Sequence, residues 1–183
     1  MLNITVPAWE DWDPVSEKFI PGYETDLTLE HSLVSISKWE SKWRKPFLST
    51  KEKTQEEMLD YIRCMTLQNR KNKIPEAVFR HLTEQNMREI LGYIETEMTA
   101  TTINRRGIKG GKNKIMTSEQ IYYYMVAAGI PFECQYWHLS RLMMLIEIYG
   151  IENQPKKKMS KRDTMAQYKA LNEARRAKHH SKG

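Results

Sequence analysis

Paired cysteines, long apolar runs and recognisable catalytic motifs are all missing from this 183-residue chain. Cys64 and Cys134 are its only cysteines, far apart and outside any CxxC. That argues against a disulfide framework and leaves two free thiols of a reducing compartment. No apolar run reaches the roughly 18 residues that a membrane-spanning helix needs, so no membrane association is expected. The start, Met1-Leu2-Asn3-Ile4-Thr5-Val6-Pro7, lacks the basic segment, apolar run and cleavage site of a signal peptide. There is no P-loop, GxGxxG, GxSxG or HExxH. We therefore expect no catalytic residue, cofactor or metal.

The net charge of +6 belongs to one end of the chain. Residues 1–155 carry 19 Lys/Arg against 21 Asp/Glu, whereas residues 156–183 carry 10 against 2. A basic tail is a weaker sign of nucleic acid than a basic folded face, so nucleic acid is not the expected partner.

Five Trp and nine Tyr supply efficient burial. Leu2–Val6 and residues 26–30 alternate apolar and polar, which predicts two half-buried strands. Trp9, Trp12, Asp13-Pro14 and Pro21-Gly22 between them read as turns and a loop over a sheet edge. From Ser32 the period becomes helical, with Leu33, Ile36, Glu40 and Trp43 in register and Pro46 as the stop. Thr54 with Glu57 forms a capping box ahead of Met58, Tyr61, Ile62 and Met65. Residues 69–73 are a polar break. Pro75 opens a short helix, and Thr83 caps another with the stripe Met87, Ile90, Leu91, Ile94.

Residues 99–103 and 115–116 are β-prone. Between them residues 105–114 hold three glycines, five basic residues and no acid, which predicts a central hairpin with a cationic tip. Thr117 with Gln120 reads as a further capping box. Gly129 and Pro131 then separate two helices over residues 118–150, the second apolar around most of its circumference. That pair is expected either at the centre of the core or partly under another protein. Residues 153–158 read as a linker, and Ser160 with Asp163 caps a last basic helix containing Met165, Tyr168 and Leu171. The expected fold is α+β: one body over residues 1–152, mainly helical, with a small N-terminal antiparallel sheet and a central hairpin. A linker and basic C-terminal helix follow over residues 153–183.

Cys134 and His138 stand four apart, a spacing that suits two ligands of one metal, but no further ligand pair accompanies them. Asp11, Asp13 and Glu17 read as a solvated acidic loop. Trp39 and Trp43 with Lys38, Lys42, Arg44 and Lys45 form a basic aromatic stripe, usable as core or as an interface anchor. Trp137, Met165, Tyr168 and Leu171 are the other candidate partner contacts. Arg105, Arg106, Lys109, Lys112, Lys161, Arg162, Arg175 and Arg176 are candidate basic contacts. Eleven Met favour adaptable surfaces.

Four stretches carry a family likeness. They are Leu29-Glu30-His31-Ser32-Leu33-Val34-Ser35-Ile36-Ser37-Lys38-Trp39-Glu40-Ser41-Lys42-Trp43, Met98-Thr99-Ala100-Thr101, Ile130-Pro131-Phe132-Glu133-Cys134-Gln135-Tyr136-Trp137-His138-Leu139-Ser140-Arg141-Leu142, and Lys157-Lys158-Met159-Ser160-Lys161-Arg162 with Leu171-Asn172-Glu173-Ala174-Arg175-Arg176. Together they resemble the tail assembly chaperone-like proteins of long-tailed (siphovirus) bacteriophages, along nearly the whole chain. The resemblance implies a non-enzymatic protein of virion morphogenesis in the host bacterial cytoplasm. It would shield the helical tape-measure protein and recruit the major tail protein through apolar helical faces, and its basic C-terminal helix would reach for acidic segments. A structural virion component, such as a connector or tail-completion protein, is the alternative. A nucleic-acid-binding protein using the hairpin tip and tail ranks behind it, and self-association as a homo-oligomer stays open.

Overall fold

A computed structural model describes residues 1–67, 73–103, 115–153 and 161–179 of the chain. It is α+β, with small antiparallel strand pairs at the N-terminus and a mainly helical remainder. Two compact units are distinguished, Met1–Tyr149 and Gly150–Gly183.

Strand β1 (Leu2–Val6) buries Ile4 and Val6 and turns Asn3 and Thr5 outward, as its alternation requires. It pairs with β4 (Thr25–Leu29), Ile4 opposite Leu27 and Leu2 opposite Leu29. The segment between them is not a loop, as the turn signals suggested, but a second hairpin of β2 (Trp9–Asp13) and β3 (Lys18–Gly22). The Asp13 carboxylate accepts from Val15 N–H (3.1 Å) and Ser16 Oγ–H (2.6 Å), which closes the turn. The Trp9 indole lies over Gly22 so closely that a Cβ there would fall 2.0 Å from Trp9 Cε2. Trp9 also stacks on His81 at 4.7 Å, and His81 Nε2 meets Asp11 Oδ1 at 3.0 Å.

The centre of the body is α1 (Leu33–Trp43), capped reciprocally by Ser32 and Ser35. It ends at Arg44, whose left-handed φ of 52° breaks the helix before Pro46. Leu33, Ile36 and Trp39 are fully buried, and the helix packs chiefly against α2 (Gln55–Met65), whose Thr54–Glu57 capping box forms as expected. Beyond residues 68–72, which include most of the polar break and lie outside the described residues, come α3 (Glu76–Arg80) and α4 (Glu84–Glu95). Thr83 caps α4, and Met87, Ile90 and Ile94 of its expected stripe pack on the core. Leu91 is instead exposed, and Tyr93 joins the inner face, its hydroxyl donating to the buried Glu30 carboxylate at 2.8 Å.

Residues 99–103 and 115–117 form no strand, contrary to the hairpin expectation for these flanks; its tip, residues 104–114, lies outside the described residues. The Thr117–Gln120 capping box is also absent from α5 (Ser118–Ala127). Instead Glu40 of α1 accepts from Ser118 N–H through Oε2 and from Phe47 N–H through Oε1, both at 2.7 Å. Gly129 closes α5 at φ 64° as expected. Pro131 then opens a short 3-10 turn, Phe132–Tyr136, and α6 (Leu139–Glu152) starts only after His138. Leu139 and Leu142 are the only buried side chains of α6, so this helix flanks the core rather than filling it. The last helix, α7 (Lys161–His179), belongs to the second unit. Most of its expected linker and the Ser160 cap lie outside the described residues.

Glu40 satisfies two buried N–H groups, so Glu40→Ala is expected to cost about 3 kcal/mol, while Glu40→Gln, which keeps one acceptor oxygen, should cost about half of that. Urea unfolding midpoints of the two variants against the parent check this.

Candidate protein-interaction surface

Three tyrosines in a row cannot all face inward on a helix of 3.6 residues per turn. Ile121 and Met125 turn α5 toward the core, Tyr122 lies half-buried, and Tyr123, Tyr124 and Val126 are left in solvent, Tyr123 at 68% exposure. The Tyr123 and Tyr124 rings meet edge to face at 5.6 Å. Tyr122 carries the surface across to the 3-10 turn: its hydroxyl donates to Gln135 Oε1 at 2.9 Å and its ring lies 6.4 Å from Phe132. The 3-10 turn buries Cys134 and points Phe132 and Tyr136 outward. Trp137 follows, over a third exposed, with the Arg141 guanidinium 4.7 Å above its ring.

Tyr136, Trp137 and Arg141 edge an open cleft of about 400 Å³ with Met98. Its floor is polar and buried: Glu30, Tyr93 and His138. The backbone around His138 is pinned, since Leu139 N–H donates to His31 C=O at 2.7 Å and His138 bridges to Ser32. His138 Nε2 lies 3.1 Å from the Tyr93 carbonyl oxygen, which can only accept. The proton is therefore on Nε2, and Nδ1 accepts from Ser140 Oγ–H at 2.8 Å. His31 Nδ1 lies 2.5 Å from Tyr61 Oη, and the two imidazole rings are 5.1 Å apart. Burial, helped by His138, pushes His31 down to about 3, and burial likewise lowers His138. Burial raises the Tyr61 and Tyr93 hydroxyls. These groups are neutral at pH 7 and hold elements together.

The expected contact residues fall into separate places. Trp39 is a correction: at 1% exposure it is core, its indole N–H donating to the Glu57 carbonyl at 2.8 Å. Trp43 is half-buried, its N–H on Asp60 Oδ2 at 2.8 Å and the ammonium groups of Lys42 and Lys45 each 5.7 Å from its ring. Trp137 is at the cleft edge. Met165, Tyr168 and Leu171 lie exposed along α7 with Arg162, Arg175 and Arg176. The Lys161 side chain and Arg105, Arg106, Lys109 and Lys112 lie outside the description. Cys134 and His138 are not on one α-helical face, because the 3-10 turn intervenes, and no group of three metal-binding side chains occurs among the described residues. Tyr123, Tyr124, Phe132 and Tyr136 were overlooked as contacts, although the run of three tyrosines pointed to them. So were Trp12 and Phe19 of the β2–β3 hairpin, whose rings meet 5.1 Å apart in solvent.

No helix among the described residues is long and apolar enough to cross a membrane. No protein-family model, curated protein or solved structure matches the chain.

A histidine buried neutral binds a proton more readily once unfolded. The stability His31 confers is therefore whole above its ordinary value of 6.5 and is lost as pH falls from there toward 3. Unfolding free energy between about pH 6 and pH 4 should fall more steeply in the parent than in His31→Asn, by up to about 1.4 kcal/mol per pH unit. Equal slopes in urea titrations would mean that His31 takes up its proton as readily in the fold as in the unfolded chain.

Proposed function

We propose that this protein is a non-enzymatic factor of phage tail morphogenesis, a tail assembly chaperone. It holds apolar helical segments of the tape-measure protein and recruits major tail protein subunits in the host cytoplasm. The observation that carries this reading is the aromatic surface of α5 and the 3-10 turn. Tyr, Trp and Arg dominate binding hot spots, and here Tyr123, Tyr124, Phe132, Tyr136, Trp137 and Arg141 are presented on ordered backbone. Tyrosine and tryptophan lose little rotamer entropy on docking, so such a surface suits apolar helices without demanding one sequence. The resemblance to the chaperone-like family supports the same role. The polar cleft floor is bonded internally, Glu30 taking the Tyr93 hydroxyl and the Met1 ammonium and His138 bridging Tyr93 and Ser140, which fits a structural use better than a reactive one.

Co-expression with the tape-measure protein of the same phage tests this. The parent should keep that protein soluble and co-purify with it, whereas Tyr136→Ala with Trp137→Ala should weaken the complex by about 30-fold, the effect of losing one hot spot of about 2 kcal/mol. An insoluble tape-measure protein in the presence of the parent would refute the reading. Abundant copies of the protein in purified particles would point to a virion component instead.

A further inference from the structure

We propose that copies of this protein associate head to tail, α7 of one copy docking on the β2–β3 hairpin of another. By strand register, one face of that hairpin presents Glu10, Trp12, Phe19 and Pro21 together. All four are exposed, with Trp12 at 53% and Phe19 at 64%. An isolated Trp–Phe pair in solvent is an unusual use of apolar area and marks a contact surface. Acids surround it: residues 8–24 contain Glu10, Asp11, Asp13, Glu17 and Glu24 against the single base Lys18.

The complementary pattern occurs on α7. Met165, Tyr168 and Leu171 recur every three residues along one exposed side. The described charged side chains of this helix are Arg162, Lys169, Arg175, Arg176 and Lys178 against Glu173, all exposed. Sign and apolar content therefore match between the two surfaces. Length matches as well. A five-residue strand extends about 16 Å, and the charges from Arg162 to Arg175 span about 20 Å of helix at 1.5 Å per residue. The occupant is a second copy because this chain itself carries both complementary halves. A contact between unlike patches is heterologous, so it repeats along a row or closes a ring. This inference stands apart from the tape-measure reading and does not require it.

Sedimentation velocity on nuclease-treated full-length protein tests the proposal. At about 50 mM salt the mass should rise with concentration above the 21.7 kDa monomer, and it should return to monomer near 500 mM, where screening is within about 5 Å. Trp12→Ala with Phe19→Ala should abolish association. Those side chains are exposed, and an unchanged unfolding midpoint confirms that the body is intact. Arg175→Glu with Arg176→Glu should weaken association about tenfold or more. Adding Glu10→Lys and Glu17→Lys to that chain should restore it, which loss of folding could not do. A monomer at every concentration in low salt overturns the proposal. So does association that ignores these substitutions.

Discussion

Two neighbouring residues of α1 settle where the helices lie. The Trp39 indole is buried between α1 and α2 and donates to the Glu57 carbonyl, which locks that pair at the first turn of α2. Glu40 points to the other side and gathers the N–H groups of Phe47 and Ser118 on its two carboxylate oxygens. A buried carboxylate is costly unless its lone pairs are used, and here the use is to start α5. The orientation of α5, and with it the outward side carrying Tyr123 and Tyr124, follows from one acid 78 residues earlier in the chain.

Local chemistry was readable where it is local. Thr54 with Glu57, Thr83, Gly129 and the alternation of Leu2–Val6 each act within a few residues, and each stands where periodicity and capping rules put it. The misses are of one kind. Thr117 makes no side-chain cap on α5, whose first N–H goes to Glu40, and the inner face of α4 includes Tyr93, held by Glu30, a partner 63 residues away. Neither distant partner is visible from neighbouring residues. The hairpin of Trp9–Asp13 and Lys18–Gly22 was hidden because its strands do not alternate apolar with polar, and Pro21 argues against a strand.

The interaction surface was legible only in part. Residues 139–148 were expected at the centre of the core or partly under another protein, and there Leu139 and Leu142 are buried while Met143, Leu145 and Ile146 pack half-buried against the core; of the two uses open to Trp39, core or anchor, it is core. Hydrophobic content says that a segment seeks cover, not which cover it finds. The exposed aromatics sit instead on the outer side of helices whose inner side was correctly assigned: Ile121 and Met125 face inward, and that leaves Tyr123 and Tyr124 no place but solvent.

The β2–β3 hairpin is a pair of strands with no third neighbour among the described residues, held to the body by Trp9 and Asp11 on His81. Two-stranded ribbons are marginal alone, so this one opens at a small fraction of the free energy that unfolds the α1–α2 centre. Its amides should exchange with solvent deuterium long before those of β1 and β4. The molecule therefore carries a limb that can reshape itself during an encounter while the remainder stays intact.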